Sequence, residues 1–241
     1  MNRYKVNLFW GIVVIFMYGC GQSTSNRAQQ DSVVTAEKIS RVFDLQGHRG
    51  ARGFRPENTI SAFIEGVGRG IRTVELDVVI SKDSQVVVSH EPFFNHNICL
   101  DSTGKAITEA NEKTWNIYHP TPKVFADILF KTLGQLNVLH RTFIQSFDVR
   151  TLQAFRKLNP GSKLVLLVEN KLSFEENIKK LGFDPAVYSP YYKLVTPELI
   201  AQAHAKKIQV IPWTVNDVKE AEKLKKMGID GIITDYPGKI K

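Results

Sequence analysis

The run IQVIPWTVNDVKEAEKLKKMGIDGIITDYP, residues 208–237, is the clearest statement of architecture in the chain. It reads as a strand over 208–215, a helix over 216–227 and a strand over 231–234. A strand carried through a helix into another strand is the unit from which parallel sheets are built, because parallel neighbours need a crossover of a dozen or more residues. Within the helix, Lys219, Lys223, Lys225 and Lys226 alternate with Glu220 and Glu222, and Val218, Ala221, Leu224 and Met227 recur at helical spacing. That is the solvated face of an amphipathic helix, not a basic patch for nucleic acid.

Outward from this unit the same grammar recurs. Strands are expected at 141–147, 163–168 and 186–189, with helices at 149–158, 173–181 and 197–206 between them. On the N-terminal side, residues 42–48 read as a strand. Pro56-Glu57-Asn58-Thr59 opens a helix with Asn58 or Thr59 as N-cap, and residues 73–80 form the next strand. Only residues 81–85 separate that strand from 86–90, too few for a parallel crossover, so the two form an antiparallel hairpin. Polar residues sit at the C-terminal ends of the strands: His48, Asp77, Ser146, Glu169, Asn216 and Asp235. Barrel enzymes keep their chemistry at that end, so the expected fold is α/β, a TIM-type (β/α) barrel.

Composition narrows the class. The chain has 241 residues, 43% of them hydrophobic, enough to bury a core without disulfides, and its two cysteines exclude a disulfide-stapled scaffold. The net charge of +8 is spread along the chain, so nucleic acid is not an expected partner. Residues 1–19 read as a signal peptide: Arg3 and Lys5 precede the apolar run 8–18, which is too short to span a bilayer comfortably. Gly19-Cys20 followed by polar residues resembles a bacterial lipoprotein signal, which implies lipidation of Cys20. Residues 20–40 are then a polar tether and 41–241 the folded domain. The localisation this implies is the bacterial cell envelope, lipid-anchored, periplasmic or surface-exposed, with membrane contact through Cys20. Cys99 is left as a loop or packing residue.

The chemistry is expected at Glu75-Leu76-Asp77. Side chains at i and i+2 of a strand share a face, roughly 6.6 Å apart. Two carboxylates there repel unless a hard divalent cation such as Ca²⁺ or Mg²⁺, or Arg and Lys partners, offsets their charge. His48 ends the first strand and His90 ends the hairpin strand, a pair suited to acid–base work near neutral pH. Arg49 offers a fork of donors for a phosphate oxygen. His96, His119, His140 and His204 lack such company and read as structural or exposed.

The segments HRGARGFRPENTISAF (48–63), ELDVVISKDSQVVVSHE (75–91), IQSFD (144–148), IPWTVND (211–217) and GIITDYP (231–237) resemble glycerophosphodiester phosphodiesterases. The resemblance implies a phospholipase-C-like barrel and a divalent metal. It also implies hydrolysis of glycerophosphodiesters to glycerol 3-phosphate and an alcohol. Carried over by position, His48 and His90 are the catalytic pair, Arg49 is a phosphate ligand, Glu75 and Asp77 bind the metal, and Trp213 lines the glycerol pocket.

One part of the family pattern has no counterpart. Relatives carry a strand after the hairpin with an IEIK-like segment, whose Glu completes the metal site. Here residues 91–120 read as loop and 121–139 as a helix, which leaves seven barrel strands instead of eight. An internal deletion with its seam near Tyr118-His119-Pro120 accounts for this. Glu169 is a weak substitute ligand, and Glu91 points away from His90 if its strand continues. The alternative reading is therefore a catalytically impaired or inactive phosphodiester-binding lipoprotein. A purely structural surface lipoprotein explains the leader but not the two histidines and two acids.

Overall fold

A computed structural model describes residues 11–16, 42–91, 99–101, 103–108 and 120–240. Strand β1 (Gly11–Phe16) comes first, followed by β2 (Asp44–Gly47), α1 (Ile60–Gly68), β3 (Thr73–Ile80) and β4 (Val86–Val88). Then come α2 (Pro122–Gln135), β5 (Thr142–Ser146), α3 (Val149–Leu158), β6 (Lys163–Val168), α4 (Phe174–Leu181) and β7 (Val187–Pro190). The chain ends with α5 (Pro197–Ala205), β8 (Gln209–Val210), α6 (Val218–Met227) and β9 (Gly231–Thr234).

The sheet runs β8-β7-β6-β5-β1-β3-β2-β9, with β4 hairpinned on β3 as expected. Three backbone bonds close it into a ring: Asp230 N–H to the Val210 carbonyl, Ile233 N–H to Pro212, and Val215 N–H to Ile233. The expected strand 208–215 is regular only over Gln209–Val210. Beyond it, backbone contacts continue as a bridge between Tyr191 and Trp213.

Among the described residues seven strands of the ring are parallel: β2, β3, β5, β6, β7, β8 and β9. The eighth place is taken by β1, antiparallel to both β3 and β5. The barrel expected to lack a strand is thus closed by part of the apolar run read as a leader. The sequence GIVVIF suits either role, since β-branched residues favour strands and a short apolar run also makes a signal core. Cys20, the tether, His96 and His119 lie outside the described residues.

The barrel has two apolar layers, as period-two strands between helices and a lumen require. On β6, Leu164, Leu166 and Val168 face the helices with Leu152, Phe155 and Leu181, whereas Val165 faces inward with Val187, Ile211 and Ile233. The lumen is filled by these residues with Gln46, Gln145 and Ser189, which leave only about 10 Å³ of free space. The helices stop and start on local signals. Thr59 caps α1, and Ser173 and Glu176 form a capping box on α4. Gly182 and Gly228 end α4 and α6 in the left-handed region that glycine adopts without penalty. Among the described residues no helix is long and apolar enough to cross a membrane.

Candidate active site

The loop after β2 carries most of the site. His48 N–H donates to the Thr234 carbonyl at 2.9 Å, which fixes the residue at the C-terminal rim beside β9. The chain then turns sharply through Arg49 (φ 52°) and Gly50 (φ 91°). A Cβ on Gly50 would lie 2.7 Å from the Ala62 carbonyl carbon, so this turn admits only glycine. The left-handed backbone at Arg49 is held by its own N–H, which donates to Glu75 Oε2 at 2.7 Å, and by Gly50 N–H, which donates to the Glu75 carbonyl at 3.0 Å.

Glu75 and Asp77 are both 1% exposed. Burial pushes the Glu75 carboxyl well above its ordinary range, and the neighbouring Asp77 charge adds to the effect, against the opposing influence of Arg49. Gln145 on β5 donates to Glu75 Oε1 at 2.9 Å. Asn58 grips Asp77 twice, donating from Nδ2 to Oδ2 at 3.0 Å and accepting the Asp77 N–H at 3.1 Å. Arg49 spans the acids, with Nη1 donating to Glu57 Oε1 at 2.6 Å and Nε 3.1 Å from Asp77 Oδ2, an ion pair out of line for a hydrogen bond. The arginine that the resemblance makes a phosphate ligand is thus engaged with carboxylates.

Asp77 Oδ1 is buried and has no hydrogen-bond partner. An orphaned carboxylate oxygen beside a second buried acid is a donor set that fits a hard cation. Among the described residues no third His, Cys, Asp or Glu joins this pair as a metal-binding group. Glu169, the weak substitute, is exposed.

Each candidate histidine has a carboxylate on Nδ1. His48 Nδ1 lies 2.6 Å from Asp235 Oδ1, and His90 Nδ1 lies 2.7 Å from Glu91 Oε1. The expectation that Glu91 turns away from His90 fails because β4 ends at Val88, so strand alternation no longer governs these two residues. Ser89 N–H donates to the Asp77 carbonyl at 3.1 Å, which ties the start of the His90 segment to the acidic strand. Asp235 in turn accepts from Asn216 Nδ2 at 2.7 Å and lies 3.7 Å from Arg52 Nε. Burial would raise the Asp235 carboxyl, but the His48 hydrogen bond and charge, with Asn216 and Arg52, bring it below its ordinary value.

Trp213 packs edge-on against Phe147 at 5.3 Å and tilts against Tyr191 at 5.8 Å, and its Nε1 donates to the Ser189 carbonyl. These half-buried rings form an aromatic wall beyond β5, β7 and β8. No spacing in the sequence singles out Glu57, Arg52 or Gln145 for this site. Asn58 was read only as a cap, although its left-handed φ of 57° marks a special position. Asp235 was read as a strand-end polar residue without a role. His204, read as structural or exposed, lies 2.8 Å from Asp230 at the opposite end of the strands, where it braces structure.

Comparison with known proteins bears on this rim. The Glycerophosphoryl diester phosphodiesterase family matches residues 48–117 and 96–239. A glycerophosphodiester phosphodiesterase of Caldanaerobacter subterraneus is 27% identical over 226 aligned positions that take in 79% of this chain and 93% of the relative. In fold, a glycerophosphodiester phosphodiesterase from Parabacteroides distasonis superposes with a TM-score of 0.65 at 23% identity, covering 82% of this chain and 94% of that one. A phosphodiesterase from Oleispira antarctica, solved in complex with the product sn-glycerol-3-phosphate, gives 0.62 at 21%, covering 83% and 96%. This chain belongs to the glycerophosphoryl diester phosphodiesterase family and is a phosphoric diester hydrolase with a barrel fold.

Proposed function

We propose that this enzyme hydrolyses glycerophosphodiesters to glycerol 3-phosphate and an alcohol, with His48 and His90 as the acid–base pair. The observation that carries the reading is the carboxylate on Nδ1 of each histidine. A carboxylate there accepts the Nδ1 proton and leaves Nε2 as the nitrogen that takes or gives a proton. Asp235 and Glu91 thus fix the orientation and tautomer of the two rings. One imidazole removes the proton of the attacking hydroxyl while the other protonates the leaving oxygen.

Glu75 and Asp77 are the residues that would hold a divalent cation, Ca²⁺ or Mg²⁺. Bound there, it would supply positive charge to a phosphoryl oxygen. Arg49, already at the acids, contributes a second cationic group beside the substrate phosphate. Trp213, with Phe147 and Tyr191, offers the apolar wall against which the glycerol carbons pack. We propose further that the enzyme acts at the cell envelope, anchored through a lipid on Cys20.

The missing strand belongs to the same reading. Alignment with the Caldanaerobacter enzyme runs over 226 positions yet uses only 79% of a 241-residue chain, so the relative carries residues that this one lacks. This supports a deletion that removed a third metal ligand. The test is release of glycerol 3-phosphate from glycerophosphocholine, with and without Mg²⁺ or Ca²⁺. A rate that chelator abolishes and that His48→Ala lowers by about 10²–10⁴-fold supports the reading. A rate equal to that of a His48→Ala/His90→Ala variant under every metal condition would replace it with the non-hydrolysing, phosphodiester-binding alternative.

A further inference from the structure

The place between β3 and β5 is filled by a strand whose sequence also reads as a leader. Six residues, Gly11–Phe16, are antiparallel to both neighbours. Val13 sits in register with Leu76 on one side and Ile144 on the other. Neighbouring strands stand about 4.8 Å apart, so β3 and β5 lie roughly 9–10 Å apart, too far to bond one another directly. Gln145 on β5 nevertheless reaches Glu75 on β3, a side-chain tie that crosses the slot at the level of the site. The slot's width is therefore set on both sides by elements of the domain itself.

We infer that residues 11–16 are a dual-use segment, a barrel strand when retained and a membrane or secretion signal when withdrawn, and that the two uses exclude each other. Cleavage before Cys20 removes the whole strand. It leaves the facing edges of β3 and β5 unpaired, β3 being the strand that carries Glu75 and Asp77 and that stays paired with β2 on its other edge. An N-terminus held in a bilayer has the same effect. The closed barrel is then the state of the unprocessed, membrane-free chain, and processing opens the wall beside the acidic pair. The occupant is this chain's own segment: its N–H and C=O groups satisfy both edges, and its composition, Ile-Val-Val-Ile within GIVVIF, is that of a buried central strand. This inference concerns wall closure and stands whether or not the rim hydrolyses phosphodiesters.

Hydrogen exchange tests it directly. The full chain is made by cell-free synthesis without membranes or signal peptidase, and exchange is followed by mass spectrometry. Protection of amides 11–16 at least about tenfold above that of a free peptide of residues 8–18 is the expected result. Exchange at the free-peptide rate overturns the inference. A Val14→Pro chain removes an N–H and blocks strand pairing at the centre of the segment. Its amides over 73–77 and 142–146 should exchange about tenfold faster or more, while those of β7 and β9 keep their protection. Unchanged protection at β3 and β5 also overturns the inference. If that variant does not fold, the unaltered chain's exchange decides alone. A chain beginning at Cys20 should regain β3 and β5 protection when the 8–18 peptide is added, but not with a scrambled peptide; equal protection with both peptides counts against the slot.

Discussion

Two acids at opposite ends of the parallel strands, Asp44 and Asp235, are held in opposite ways. At the N-terminal end Asp44 is 7% exposed and is served by neutral donors, Thr73 Oγ1 and Gln46 Nε2, each at 2.7 Å. Burial raises its carboxyl above the ordinary value despite those bonds and despite Arg72. At the C-terminal end Asp235 meets a histidine, an arginine and an asparagine, and it stays below its ordinary value. Asp44 is buried and Asp235 half-buried; one is a structural peg and the other belongs to a charged network that reaches the candidate chemistry. Charge pairing separates Asp235 from Asp44, the one held by cationic partners and the other by neutral donors.

The contrast breaks most sharply under substitution. Asp235→Asn keeps the shape and the Asn216 contact but replaces an acceptor of the Nδ1 proton with a neutral amide. Turnover should fall about ten- to a hundredfold, which is about 1.4–2.7 kcal/mol of transition-state stabilisation, with KM little changed. A merely structural role would move the melting temperature and leave kcat alone. Asp44→Ala should do the reverse. It strands Thr73 Oγ1 and Gln46 Nε2 in the interior at a cost of about 1–3 kcal/mol, read as a lower urea midpoint, while kcat of the folded fraction is unchanged.

The pH dependence of stability sharpens the same contrast with opposite signs. A carboxyl raised on folding binds its proton more tightly in the native state. Asp44 therefore contributes stability that is present below the ordinary carboxylate value, about pH 4, and is lost as pH rises through its raised value. Asp235 is lowered, so its contribution is present above about pH 4 and lost as pH falls through its lowered value. Urea midpoints measured from acid to neutral pH in Asp44→Asn and Asp235→Asn should differ from the parent at opposite ends of the range. A deviation at the same end in both variants would show that the two acids do not play these separate roles.

What could be read from sequence follows from how local each cause is. Helices α3 and α4 and strands β6 and β9 were legible because their patterns and caps lie within the segment: Asp148 before α3, Ser173 with Glu176 before α4. The acidic pair was legible because period two is a property of one strand. Their partners were not. Arg49, Asn58 and Gln145 meet Glu75 and Asp77 through a left-handed turn and across the ring, and no spacing rule encodes that meeting. Strand β1 was the hardest, because GIVVIF satisfies two physical descriptions and only its neighbours in space choose between them.

The outer shell supplies the smallest expected effect, and it sets a scale for the others. Ser173 Oγ accepts the Glu176 N–H at 3.2 Å, and Glu176 Oε2 accepts the Ser173 N–H at 2.7 Å, so two otherwise orphaned donors at the start of α4 are satisfied. Ser173→Ala removes one of these bonds at an exposed helix end and should cost about 1 kcal/mol, read as a small drop in the urea midpoint. Helix α4 packs Phe174, Ile178 and Leu181 onto the outer face of the sheet, away from Glu75 and His48. Activity of the folded protein should therefore be unaltered. A kcat change as large as that of Asp235→Asn would mean that the helical shell, and not only the rim network, sets the geometry at the histidines.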